Sequence, residues 1–310
     1  MAERARAFSP AGISSFFEIC DRTPDGALIE DPERIGARGG GFVISKGVLT
    51  EVSVIESKEE RVRVFINGRP SPEAETTKSV VDALLERAQG TYHVTVRHRV
   101  DVPIGAGFGS SGAGALGAAM ALNRALNMGL TYNQVGRIAH VAEVRCRTGL
   151  GTVGPLMLGG CVVTVEPGAP GYALIDRIPV SPDHRIVAGV VRPILTKEIL
   201  ASLEKRRVAN EWGKRTVDRI LANPTLENFM QASKEFAMET GLISDHVRRL
   251  IRAAEDVGAV GAAQNMVGEA VHALVTADKT KDVVQAFERT LPRERILVTK
   301  IDLQGARLLR

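Results

Sequence analysis

Pro103-Ile-Gly-Ala-Gly107-Phe-Gly-Ser-Ser111-Gly-Ala-Gly-Ala115 is the stretch on which the reading of this chain turns. The residues before it alternate, with Val94, Val96, Val100 and Val102 separated by polar or charged side chains, and a run of Ala, Leu and Met follows. That order predicts strand, glycine-rich loop, helix. Such a loop gathers backbone N–H groups at the mouth of a helix, where the macrodipole favours an anion. Glycine supplies the positive φ values and lets a phosphate approach without a Cβ in the way. The hydroxyls of Ser110 and Ser111 can donate to phosphate or ligate a metal ion. Two standard templates fail. No lysine completes a G-x-x-x-x-G-K-[ST] loop, and no acidic residue follows about 20 positions on to complete a dinucleotide fingerprint. A helix start packed closely through small residues is the alternative.

The chain has 310 residues, enough for one large or two ordinary domains. A hydrophobic share of 44% and a charged share of 25% are those of a globular protein. With only 4% aromatics, the core is expected to be aliphatic. The net charge of +4 is modest, and acids are interspersed with the basic residues. Arg61/Arg63, Lys205/Arg206/Arg207 and Arg248/Arg249 read as solvated faces rather than a track for nucleic acid. A slight positive balance also suits small anionic substrates. Cys20, Cys146 and Cys161 form no C-x-x-C pair or disulfide framework, so a reducing cytoplasm is expected. No signal pattern or membrane-length apolar run is present in the sequence.

Working outward, Pro10-Ala11-Gly12 reads as a turn after a short strand, and Arg38-Gly39-Gly40-Gly41 as a second glycine-rich loop. Val48–Ile55 and Arg61–Ile66 read as a hairpin. Helical spacing is expected over 74–88, 111–127, 196–222, 225–239, 242–256 and 279–290. Thr131 with Gln134 resembles a capping box opening a further helix. Strands are expected at 91–102, 161–165, 172–178, 186–191, 270–275 and 296–302. The link Pro179–Pro182 divides a domain of residues 1–180 from one of 181–310. The class is α+β rather than a doubly wound sheet.

Three glycine-bearing segments, at 10–12 with 39–41, at 105–114 and at 258–268, resemble the motifs of the GHMP kinases, the superfamily of galacto-, homoserine, mevalonate and phosphomevalonate kinases. The family's P-x-x-x-G-L-G-S-S-A-A stands here as Pro103-Ile-Gly-Ala-Gly107-Phe108-Gly109-Ser110-Ser111-Gly112-Ala113. Phe replaces Leu and Gly replaces Ala. The finer resemblance is to the archaeal pantoate kinases, through Ser9–Asp21, the Arg38 to Phe42 segment, Asn210 with Gly213, and Gln264–Gly268. It implies a two-domain fold, with an N-terminal S5 domain 2-like part and a C-terminal ferredoxin-like part. It further implies ATP-dependent phosphorylation of the 4-hydroxyl of pantoate on the archaeal route to coenzyme A. A homoserine or mevalonate type of kinase, or a non-catalytic nucleotide-binding member, are the alternatives. The resemblance leaves room for a homodimer and implies no nucleic-acid or membrane partner.

By the same resemblance Pro103, Gly105, Ala106, Gly107, Gly109, Ser110, Ser111, Gly112 and Ala113 cradle the ATP phosphates, and Ser111 with Glu143 holds Mg2+. Read alone, Glu143 is equally a surface residue of an amphipathic helix. Relatives carry an aspartate base upstream of a Gly-Gly pair; counting back from Gly159-Gly160, that position is Thr152. No carboxylate occurs in 148–157, so a base would be Glu18, Asp21 or another residue outside that stretch, or transfer proceeds by positioning and charge alone. Arg38, Arg145 and Arg147 are candidates to clamp the substrate carboxylate, because a guanidinium binds carboxylate as a fork. His140 is expected to pack, and Met266 to support the loop from beneath.

Overall fold

The computed structural model describes residues 3–192 and 203–310. The first strand, β1 (Glu3–Cys20), runs antiparallel to β2 (Gly36–Glu56) along its whole length. Pro10-Ala11-Gly12 is therefore no turn. The strand absorbs these residues at a register shift between Pro10 and Ala11, as a bulge accommodates a residue without a backbone donor. Gly39–Gly41 is likewise no loop but part of β2. A Cβ on Gly40 would lie 2.8 Å from the rings of Phe16 and Phe229, so glycine here marks close packing.

After β2 come β3 (Arg61–Ile66), β4 (Arg69–Pro70), α1 (Glu75–Leu85) and β5 (Tyr92–Val100). The expected hairpin does not form. β3 pairs in parallel with β5, and β5 rather than β3 lies beside β2. The loop then leads into α2 (Ser110–Ala125), followed by α3 (Tyr132–Cys146), α4 (Val153–Leu158), β6 (Cys161–Glu166) and β7 (Leu174–Ile178). The capping box at Thr131 and Gln134 is present. The large sheet has the order β12-β1-β2-β5-β3-β4, where β12 is the last strand (Arg307–Leu309), with β6 joining the first half of β2 and β7 joining β6.

The second layer contains β8 (Arg185–Arg192), α5 (Leu203–Ala222), α6 (Leu226–Glu239), α7 (Asp245–Asp256), β9 (Gly261–Gln264), β10 (Glu269–Val275), α8 (Thr280–Glu288) and β11 (Ile296–Lys300). The helix start expected near residue 196 lies outside the described residues. The strands form an antiparallel sheet in the order β11-β8-β10-β9. Numbered within this layer that is 4-1-3-2, the ferredoxin-like plait. The last strand, β12 (Arg307–Leu309), returns to pair with β1. Among the described residues no helix is long and apolar enough to cross a membrane.

Two cores position the site. One is aliphatic, as composition predicts, and packs α1, α2 and α3 on the large sheet. Helix α2 is buried from Gly112 to Leu122 because its side chains are small. The neutral His98 ring ties Thr50 (2.9 Å) to Thr77 (3.0 Å) beneath it, burial having pushed its pKa down to about 4. The other core departs from the aliphatic expectation. Phe16, Phe42, Phe229 and Phe236 meet there edge to face, with centroids 5.3–6.3 Å apart. Each such pair contributes about 0.5–1.5 kcal/mol beyond its buried area. This core joins the two layers, and Ala106 and Phe108 of the loop are anchored in it.

Helix α5 lies against β1. The Asn210 side chain accepts from the Ile19 N–H (2.8 Å) and donates to its carbonyl (3.0 Å), standing in for a neighbouring strand. A Cβ on Gly213 would fall well inside contact distance of the Phe17 carbonyl. Gly213→Ala is therefore expected to destabilise by about 1–3 kcal/mol, the usual range for overpacking. A denaturant midpoint equal to the wild type would contradict this close approach.

Candidate active site

The loop between β5 and α2 alternates two kinds of residue. Gly105, Gly107 and Gly109 have φ of +76°, +76° and +59°, and between them Ala106 and Phe108 are buried. Alternation of this kind turns successive amides toward one concavity. Gly109 is the N-cap of α2 and no side chain caps the helix, so the first-turn amides keep their unpaired donors. The third glycine-bearing segment supports the loop from behind. A Cβ on Gly107 would lie 3.0 Å from that of Asn265, and one on Gly268 would lie 2.8 Å from the Ala106 carbonyl carbon. Asn265 Oδ1 also accepts from Nδ1 of the His272 ring (2.9 Å), whose Nε2 accepts from the Ser15 hydroxyl (3.0 Å). Full burial lowers the His272 pKa to about 3, so this chain is neutral. The amide of Met266 donates to the Ser14 carbonyl at 2.7 Å.

The loop forms one wall of a cavity of about 1030 Å³. Opposite walls come from Gly12–Ser14, Ala37–Gly41 and 147–152. Of the expected phosphate-binding residues, Gly105, Gly107, Gly109, Ser110 and Ser111 line it, whereas Ala106, Gly112 and Ala113 are buried behind it. Pro103 leads into the loop without lining it. Thr152 is the N-cap residue of α4 and lies on the wall. Its methyl group would be 2.8 Å from a Cβ on Gly109.

Glu143 is 2% exposed, on the inner face of α3 behind Ser111. Thr148 donates to its Oε1 at 3.2 Å, while Oε2 is buried without a partner. Burial raises its pKa from 4.5 to about 7, against the opposing hydrogen bonds of Ser111 and Thr148. Glycine at 112 and 149 makes room for this carboxylate. A Cβ at 112 would lie 2.6 Å from Oε2. Thr76, which sequence reasoning missed, completes the cluster, accepting from Ser111 (3.4 Å) and meeting Thr148 (3.1 Å).

The arginines separate. Arg145 is exposed and does not line the cavity. Arg147, Arg38 and Arg206 do. Glu18 does not reach the wall and is paired with Arg38 at 2.9 Å. Asp21 does reach it and is paired with Arg206. The reading of Arg206 as part of a solvated face is corrected, since its side chain is only 21% exposed. His140 is buried and meets the Ile35 carbonyl at 2.8 Å, the packing role expected of it.

The profile of the GHMP kinases N terminal domain matches residues 75–160, from α1 through the loop to the Gly159-Gly160 pair. The chain is similar to the pantoate kinase of Methanocaldococcus jannaschii, with 31% identity over 285 residues, 92% of this chain and 97% of the relative. It is 31% identical to the pantoate kinase of Thermococcus kodakarensis over 283 residues, 90% of each. A solved structure described as a phosphotransferase related to the CoA biosynthesis pathway aligns with a TM-score of 0.88 and 28% identity, over 99% of both chains.

Proposed function

The chain belongs to the pantoate kinases of the GHMP kinase family, and on that ground we propose that it transfers the γ-phosphoryl group of ATP to the 4-hydroxyl of pantoate. The observation that carries the reading is the uncapped helix mouth with a buried, partnerless carboxylate oxygen directly behind it. Amides cradle a polyphosphate without any lysine, and a carboxylate so placed repels phosphate unless a cation stands between them. The donor set fits Mg2+: Glu143 Oε2 is an orphaned hard oxygen, and Ser111 supplies a hydroxyl beside it. One or two protein oxygens are what this ion takes when substrate phosphates and water complete its shell. When bound, the ion would neutralise charge developing on the phosphate oxygens.

The chain's own part is positioning. Phosphoryl transfer through a loose transition state needs alignment and charge more than it needs a base. That suits a site in which Thr152 occupies the base position and both nearby carboxylates, Glu18 and Asp21, are held by arginines. The acceptor hydroxyl then gives up its proton late, to water or to the phosphoryl oxygens. The test is a transfer screen with ATP and Mg2+ over pantoate, homoserine and mevalonate, read by ADP release and by the phosphorus resonance of the product. A new phosphomonoester is expected with pantoate. Preference for another acceptor contradicts the substrate, and nucleotide binding without transfer to any acceptor contradicts the activity.

A further inference from the structure

Three guanidinium groups stand on the cavity wall, and their surroundings differ. Arg38 has a partner for each nitrogen: Nε donates to the Val165 carbonyl (2.8 Å), Nη1 pairs with Glu18 (2.9 Å) and Nη2 with Asp218 (3.5 Å). It is a strut between β1, β2, β6 and α5. Arg147 is exposed and follows α3 at the Glu143 end, next to Thr148, where the nucleotide phosphates are expected.

Arg206 stands apart from both. Its side chain and that of Asp21 are 21% and 20% exposed, and both residues line the cavity. Asp21 engages one nitrogen, Nη2, so a second carboxylate can be received on the other edge of the fork. The seating of its helix on β1 is fixed by backbone contacts. One turn along α5 from Arg206, Asn210 grips both backbone groups of Ile19, two residues before Asp21. Arg206 and the loop line the same cavity. Ile19 pairs with Ala37, whose Cβ would lie 3.2 Å from a Cβ on Gly151, the neighbour of Thr152. Ile19, Ile35 and Ala37 give this stretch an apolar wall.

We propose that Arg206 is the specificity-determining residue that receives the substrate's carboxylate, so that the site takes a hydroxy acid in preference to a neutral polyol of the same shape. This rests on the acceptor assigned above. A charge-assisted fork in a partly desolvated site discriminates strongly against an analogue that lacks the charge. Asp21 holds the guanidinium in place when the site is empty and opposes the incoming anion, which keeps acid binding from being excessively tight.

The test compares pantoate with 3,3-dimethylbutane-1,2,4-triol, in which the carboxylate is reduced to an alcohol. Wild-type enzyme is expected to favour the acid in kcat/KM. Arg206→Gln should lower kcat/KM for pantoate at least about tenfold and leave the value for the triol and the KM for ATP within about twofold. Arg206→Lys should recover part of the loss. Asp21→Asn keeps the arginine and should raise the preference for the acid. The proposal is overturned if Arg206→Gln lowers acid and triol alike, or if Asp21→Asn reproduces the arginine loss, because the pair would then be a strut. Should Arg206→Gln fail to fold, the lysine and asparagine variants read the same ratio. Failure of the kinase reading itself looks different: wild-type protein would then leave pantoate unphosphorylated.

Discussion

Replacing Glu143 with glutamine is expected to lower turnover at least about tenfold while raising the melting temperature of the ligand-free protein above pH 7. The two effects have one cause. In its proposed role of meeting a cation at the phosphates, this carboxylate is a preorganised charge, and losing such a group typically costs tenfold or more. Without a ligand the same carboxylate is buried with one oxygen unpartnered. Its pKa in the folded protein, about 7, exceeds the ordinary 4.5. Between those values the folded state binds more protons than the unfolded state, so stability falls as pH rises from 4.5 and levels off above 7. The ionised form costs about 3 kcal/mol there, which glutamine avoids. In a chain of this length that is a few degrees. At pH 4 the two proteins should melt together. Ser111→Ala should reduce turnover similarly, by removing the hydroxyl that faces the same carboxylate. Wild-type turnover in both variants would refute the metal assignment, and equal melting points at pH 8 would refute the buried charge.

Gly109→Ala is expected to reduce turnover about a hundredfold and to weaken ATP binding in calorimetry. The residue has φ +59° and caps the helix whose amides are proposed to hold the phosphates. An L side chain in the left-handed region costs about 1–2 kcal/mol. Here the added Cβ would also lie 2.8 Å from the Thr152 methyl and 3.2 Å from the Gly12 carbonyl oxygen. The helix mouth must move to relieve it, and misplacement of about 1 Å is enough for a loss of that size. Gly129→Ala is the control. Its φ is +68°, but nothing lies within 4 Å of the new Cβ. It should cost a little stability and leave turnover alone. Equal kinetics for the two variants would mean that the shape of the helix mouth does not matter.

The loop and its helix were legible because glycine, small residues and valine alternation all pointed the same way. Elsewhere glycine misled. At 39–41 it signals a loop when read locally, yet a Cβ on Gly39 or Gly41 would run into the backbone of β1, and one on Gly40 into the rings of Phe16 and of Phe229, the latter over 180 residues away. Pro10 punctuates a sequence, but a bulge lets a long strand run through it. Arg145 could have been set aside from the sequence. Two helical steps rotate by about 200°, so it faces away from Glu143, whereas Arg147 lies past the helix end and reaches the cavity wall. The orphaned Oε2 could not have been read, because it depends on Gly112 and Gly149 closing over the carboxylate. Arg206 was hidden for a similar reason. Its neighbours in sequence are basic and exposed, and only the docking of α5 on β1 turns it inward.

The most direct test of this account is a crystal structure with a non-hydrolysable ATP analogue and Mg2+. It predicts triphosphate oxygens within hydrogen-bond distance of the backbone amides between Gly107 and Gly112, with the ion between them and Glu143. Density for the nucleotide elsewhere, with those amides facing only solvent, would contradict it.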